Sequence, residues 1–513
     1  MEESQNFGEQ QDNSHIFYDP FTILKPLASA VHLELDMINY VVCLLLSFAI
    51  GYWFKTQYSG ADRQSRAIFT TTIGLGFCYF CYGNAIIHLL LNVFVSYALM
   101  LTIDPKIVHK VVFGFSMGYL LLIHFYRWMY QTSYCMDVTS SIMLSVGKTT
   151  LLATAIHDGM GKDPKKLSAA QEKDAVKEVP NVIDYASYMF NFQTILAGPM
   201  INYSGWSQFL DETHIPLDKT SGKPYDPTGT ALEKLQIAVG FAVLYAALTP
   251  FFPMSLTIDP ELNQRTVFIW WIYHTISCTV LRCQYYFAWI LSDAACNASG
   301  FGFNGLDKES NAPKWTRATN VNPMKVEFAQ NYKEIVDNWN MSTVAWLRRV
   351  VYERFDAKYR TWAVYATGAV WHGVSAGYYV SFLSSGLYTL AGAMWRRCMR
   401  HYFIKDPNVK IAYDIFGILL SRFILCYNQW PFYIMNLSPS LFTYTKFYFL
   451  PQIISLLIIF YLPEVFPPKK SDLKSEKTEN TERTEKTDDL KSVKKYSSTR
   501  TAVEMEKKEE KIE

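Results

Sequence analysis

Repeated stretches of about twenty apolar residues leave a chain few folds to choose from. A stretch of that length spans the hydrocarbon core of a bilayer as a helix. Such stretches lie near 38–54, 67–83, 84–102, 111–130, 139–157, 183–200, 231–252, 266–291, 362–384, 385–395, 411–429 and 447–463. The 385–395 run is short and can join its neighbour, so the expectation is roughly ten to twelve helices. Backbone groups in lipid must be satisfied within the protein, which leaves helices or a closed barrel. The alternating pattern of a barrel is absent. The chain therefore reads as an all-α polytopic membrane protein.

The charge distribution supports that reading. Only 18% of the residues are charged, low for a soluble protein. Of the 94 charged residues, 26 lie in the last 50 positions, 13 of each sign. Three parts follow: a polar N-terminal segment, 1–36; a membrane-spanning domain, 37–463; and a charged tail, 464–513. The tail's Lys/Glu/Ser/Thr composition cannot bury a core and reads as disordered. Net charge is +2 with no basic domain, which argues against a nucleic-acid partner. The polar start of the chain, with no charged segment running directly into a short apolar one, argues against a cleaved signal peptide. The nine cysteines lie scattered, many in apolar runs, with no zinc spacing, and read as buried packing thiols, the Cys78/Cys81 pair included. Loops 158–181 and 396–410 carry five Lys or Arg each. The positive-inside rule places both in the cytoplasm, and the tail with them.

Two polar residues stand out in this apolar setting. His372 lies in Ala369-Val370-Trp371-His372-Gly373-Val374-Ser375-Ala376-Gly377, and no Asp, Glu, Lys or Arg occurs from Thr361 to Trp395. An ionisable side chain at membrane depth is costly, and by default a functional candidate. A neutral imidazole there can serve as a general base or as a core residue bonded to a helix carbonyl. Asn340 falls on one helical stripe with Val336, Val344, Leu347, Val351 and Phe355. It can bridge two helices or donate its amide to a developing oxyanion. His88 and His124, in other spans, read as core or pore-lining residues, and His157 as a solvated one at a membrane edge. Gly373-Val374-Ser375-Ala376-Gly377 matches G-x-S-x-G. A nucleophile elbow needs strand–turn–helix context and an acid and a histidine following in order. Only His401 follows Ser375, with no acid between them.

Taken together, Trp339-Asn340, Trp346-Leu347 and, some thirty residues later, Trp371-His372-Gly373 make the chain resemble the membrane-bound O-acyltransferases, most closely their lysophospholipid branch. Supporting marks are Ser187 to Phe192 leading to Leu196-Ala197-Gly198-Pro199, and Asp293 to Phe303. The likeness covers roughly 35–463. It implies about eleven helices around a buried catalytic chamber. It also implies acyl transfer from acyl-CoA, a co-substrate, to the hydroxyl of a lysophospholipid, with no further cofactor and no metal. His372 matches the family's catalytic histidine and Asn340 its asparagine partner. Trp339, Trp346, Arg348, Arg349 and Trp371 are the expected substrate-binding residues. The stretch 348–360 carries five cations against two acids and is assigned to the mouth that takes CoA. Endoplasmic-reticulum residence rests on the resemblance, because no dilysine spacing ends the chain. A protein or sterol acceptor is the nearer alternative. A transporter built on intramembrane histidines is the more distant one.

Overall fold

The computed structural model describes residues 17–130, 135–218 and 221–468. The expectations for the first 16 residues, and for the tail from 469 onward, lie outside the described residues. The fold is all-helical, with only isolated β-bridges among the described residues. The principal helices are α1 (Leu35–Gln57), α2 (Arg63–Tyr82), α3 (Ile86–Thr102), α4 (Val108–Tyr130), α5 (Thr139–Ile156), α6 (Val182–Phe190), α7 (Thr228–Leu248), α8 (Val267–Ala298), α9 (Tyr332–Asn338), α10 (Met341–Leu347), α11 (Arg360–His372), α12 (Ala376–Phe403), α13 (Pro407–Ile434), α14 (Leu437–Lys446) and α15 (Leu450–Phe460). Helix α8 packs along α7 and α1, α5 along α4 and α3, and α12 between α11 and α13.

Among the described residues, four helical stretches are both long and apolar enough to cross a bilayer: α1, the combined α2–α3 run, α4 and α7. A fifth arises if α14 and α15, bent by 75° at their junction, count as one span. The long helices α8, α12 and α13 miss that criterion because they carry polar residues that the fold buries or half-buries. Two charges on α8 show how the protein tolerates this. Arg282 donates to Glu327 at 2.7 and 2.8 Å, and Asp293 accepts from Lys234 at 2.7 Å. A charge sealed from water needs such a partner.

The expected span 183–200 is not one helix. It runs as α6 to Phe190 and then unwinds through residues 191–202. Unwound backbone without water must find other donors, and side chains of four helices supply them. Ser47, Ser292, Ser141, Tyr40 and Tyr188 donate to the carbonyls of Phe192, Gln193, Ile195, Leu196 and Ile201 at 2.7–3.3 Å. Ser292 also reaches the Gly198 carbonyl. The fully buried Lys148 donates to the carbonyls of Tyr188 and Met189, both at 3.2 Å, and to Thr194 Oγ1 at 2.7 Å. Its three N–H donors match three acceptors.

Two further sequence expectations are corrected. The span expected over 362–384 breaks at 373–375, between α11 and α12, rather than near 385. Gly373 has φ +139°, where an L side chain is strained, and ends α11. The amphipathic stripe over 333–355 is not one helix either. It is divided into α9, α10 and a π-helical turn, Arg348–Tyr352, with its first break at Trp339-Asn340.

Candidate active site

His372 is the last residue of α11 and sits half-buried at the α11–α12 break. Aromatic rings surround its imidazole: Trp371 at 4.7 Å between centroids, Phe432 at 4.9 Å, Phe382 at 5.1 Å and Tyr378 at 5.6 Å. Tyr378 and Phe382 are four residues apart and so share one face of α12. Among the described residues, neither ring nitrogen of His372 has a hydrogen-bond partner. The alternative of a core histidine bonded to a helix carbonyl is therefore not what this residue does.

That role belongs to His124 instead. It is 7% exposed, and its Nε2–H donates to the Trp371 carbonyl at 3.1 Å. Its other ring nitrogen faces Gly373, where an added Cβ would lie 3.4 Å from His124 Nδ1 and 3.3 Å from the Tyr378 ring. Farther along the turn, Gly377 N–H donates to the Met435 carbonyl at 2.7 Å, and a Cβ at Gly377 would lie 2.1 Å from the Pro431 carbonyl oxygen. The small residues around His372 thus let the turn press against α4 on one side and the end of α13 on the other. Ser375 is the N-cap of α12 in a helix–turn–helix setting. The strand that a nucleophile elbow requires is absent there.

Two tryptophans tie the site to α5. Trp371 donates from Nε1 to the Met143 carbonyl at 3.0 Å, and Trp346, fully buried, from Nε1 to Thr150 Oγ1 at 2.8 Å. Their rings lie 5.5 Å apart. Residues 143 and 150 are two turns apart on one helix, so α5 fixes both α10 and α11.

Asn340 is placed otherwise than a helical stripe would have it. It is the N-cap residue of α10, in the left-handed conformation at φ 47°, ψ 55°. Asn tolerates that region better than most residues. Asn320 secures the break by accepting from Met341 N–H at 2.7 Å and, through its side chain, from Ser342 N–H at 2.9 Å. Asn340 Oδ1 accepts from Thr343 Oγ1 at 2.9 Å. The amide Nδ2 has no partner among the described residues. Asn340 and His372 are not hydrogen-bonded to each other. Trp339, before it, packs against α8 through Tyr285, Tyr286 and Trp289, with centroids 5.0–5.8 Å away.

The basic stretch is less free than its charge suggests. Arg349 pairs with Asp174 at 2.8 Å and Glu353 at 3.3 Å, and also donates to the Ala170 carbonyl. Arg354 makes a two-pronged pair with the buried Asp158 at 2.6 and 2.8 Å. These two arginines tie the π turn to loop 158–181. Arg348 is exposed and lies 3.7 Å from Glu353, and Lys358 and Arg360 sit over the Tyr359 and Tyr352 rings.

Sequence reasoning underrated several residues here. His124 was one of three histidines in apolar or edge positions, with nothing to separate it from His88. Phe432 and Asn320 carry no local signal. Tyr378 and Phe382 could have been found, since their spacing from His372 sets them on the face that follows the turn.

Comparison with known proteins identifies the family. The model of the membrane-bound O-acyltransferase family matches residues 39–430. The chain is 34% identical to human membrane-bound glycerophospholipid O-acyltransferase 2 over 460 residues, 86% of this chain and 88% of that protein. It is also 34% identical to human membrane-bound glycerophospholipid O-acyltransferase 1 over 461 residues, 86% of this chain and 92% of that one. Lysophospholipid acyltransferase 6 of Drosophila melanogaster is 33% identical over 453 residues, 85% of this chain but only 63% of that longer protein. The chain belongs to the membrane-bound O-acyltransferase family and is an acyltransferase.

Proposed function

We propose that this protein transfers a fatty acyl chain from acyl-CoA to the free hydroxyl of a lysophospholipid, with His372 as general base and Asn340 as the donor-positioning or oxyanion partner. The observation that carries the mechanism is the unpartnered imidazole of His372, half-buried and walled by aromatic rings. A base must have a free lone pair to accept a proton, and no donor among the described residues occupies that of His372. The relatives' names supply the acceptor class.

A hydroxyl is a poor nucleophile near neutral pH, and a base within hydrogen-bond reach corrects that. In our reading His372 takes the hydroxyl proton while the oxygen attacks the thioester carbonyl. Negative charge develops on the carbonyl oxygen, where the free Asn340 amide donates. The carbon–sulfur bond then breaks, and the departing thiolate takes the proton from the imidazolium. The products are a phospholipid and CoA, with no acyl-enzyme. The aromatic wall excludes water and so protects the thioester from hydrolysis.

The wider picture belongs to the same reading. Residues 37–463 form the catalytic domain, with about eleven spans around a chamber in the endoplasmic-reticulum membrane and the tail in the cytoplasm. CoA enters beside Arg348 and the half-buried Trp339; Trp346 and Trp371, sealed against α5, support the site from behind rather than line the path. The test is acyl transfer from labelled acyl-CoA to a panel of lysophospholipids in membranes carrying wild-type, His372→Ala or Asn340→Ala protein. We expect loss of turnover in His372→Ala, with a smaller loss in Asn340→Ala. Undiminished turnover in well-expressed His372→Ala would refute the mechanism.

A further inference from the structure

We propose that His124 is a positioning residue for this reaction: its imidazole holds the Trp371-His372-Gly373 turn and thereby aims the His372 side chain. The proposal rests on the reading of His372 as the base.

The need for such a residue begins with helix geometry. The last carbonyls of an α-helix have no intrahelical donor. Trp371 is the penultimate residue of α11, and at membrane depth its carbonyl has no water to turn to. His124 Nε2 meets it at 3.1 Å from a helix 247 residues earlier in the chain. A carbonyl oxygen only accepts, so Nε2 must carry the ring proton and Nδ1 the lone pair. That lone pair faces Gly373, on the other side of His372, where even a methyl group would come within 3.4 Å. One imidazole therefore bonds to the residue before His372 and packs against the residue after it.

The other tethers do not duplicate this contact. The Trp371 indole is held by the Met143 carbonyl, and Gly373 N–H donates to the Ala369 carbonyl, but neither bond engages the Trp371 carbonyl. Aromatic packing around His372 is apolar and carries little direction. His124 supplies the polar tether on the backbone that carries the base. The chemistry also fits its burial: a neutral, single-tautomer histidine gives one donor where one acceptor waits, and adds no charge beside the base.

Side-chain isosteres separate positioning from other roles. Glutamine places its amide nitrogen where His Nε2 lies, whereas asparagine places its own near Nδ1. The experiment measures steady-state kinetics of full-length His124→Gln, His124→Asn and His124→Ala in membranes, normalised to folded protein by fluorescence-detected size exclusion. His372→Ala is run beside them. Alanine and asparagine should lower kcat about 10- to 100-fold, as a misaimed base does, with KM for both substrates within about twofold. Glutamine should recover most of kcat. A glutamine variant as poor as alanine would overturn the proposal, because the ring's second nitrogen would then be doing chemistry. An unchanged alanine variant, or a raised KM with kcat intact, would overturn it too. If all His124 variants match wild type while His372→Ala is inactive, positioning fails and the base assignment stands. If His372→Ala retains full turnover, both fall.

Discussion

Replacing Gly373 by alanine tests the geometry of the site at the point where it is tightest. The perturbation is one methyl group. Gly373 has φ +139°, a region that is nearly glycine-only, so an L residue there costs roughly 1–3 kcal/mol in backbone strain. The methyl also meets the Tyr378 ring at 3.3 Å and His124 Nδ1 at 3.4 Å, closer than ordinary van der Waals contact. Both neighbours bear on His372, one through ring packing and one through the Trp371 carbonyl. Relief of the strain must move the turn, and a displacement of about 1 Å at a catalytic group lowers turnover about 100-fold. The assay is turnover per folded molecule in membranes, with thermal stability in detergent measured on the same preparation. Gly118→Ala is the internal control. It lies on α4, the helix of His124, with nothing within 4 Å of its would-be Cβ, and should leave both quantities intact. Wild-type turnover and stability in Gly373→Ala would refute the account of the turn.

Arg354→Ala leaves Asp158, 2% exposed, with a buried uncompensated charge. The expected destabilisation is about 3–5 kcal/mol, read as loss of monodisperse protein, and adding Asp158→Asn should recover part of it. Arg348→Ala, on an exposed pair 3.7 Å apart, should leave stability intact and raise KM for acyl-CoA, whereas unchanged acyl-CoA kinetics would remove Arg348 from the CoA path. Lys148→Met orphans the Tyr188 and Met189 carbonyls at the end of α6 and removes a donor to Thr194 Oγ1 in the unwound segment that follows, at roughly 1–3 kcal/mol for each buried group left unmet. Its folded yield should fall, and a normal yield would show that the segment finds other donors. The buried His214 donates to the Gly300 carbonyl at 2.9 Å, and burial, with Arg317 nearby, lowers its pKa from 6.5 to about 3. Above pH 6.5 it contributes no pH dependence. Between 6.5 and 3 only the unfolded chain binds the proton, so stability falls as pH falls, by about 1.4 kcal/mol per unit. His214→Gln should flatten thermal stability measured from pH 7 to pH 5, and an unchanged slope would refute this.

Much of the molecule was legible in the sequence. Hydrophobic stretches of bilayer length require helices, because lipid offers backbone groups no partner, and that constraint needs no tertiary information. His372 stands out as a candidate for a related reason, since an ionisable group is costly in such a stretch and its presence asks for a cause; Asn340, outside those stretches, stands out only by its place on an amphipathic stripe. The seven cysteines in apolar runs are all buried and free, as their surroundings require, and Cys398, flanked by arginines, is buried as well.

Other features could be settled only by the folded chain. Periodicity assumes an unbroken helix, so it placed Asn340 on a stripe. The backbone in fact turns left-handed there, and Asn320, from a loop, secures the break. Charge counting made 348–360 a cationic patch, but Asp158 and Asp174, nearly two hundred residues earlier, engage two of its arginines. The same distance effect separates the histidines. His88 and His124 look alike in their own spans, and only packing brings His124 to the carbonyl beside His372. Composition and period set which segments are buried, because burial depends on local apolarity. Which polar group meets which depends on contacts between segments far apart in the chain, and tertiary structure alone decides those.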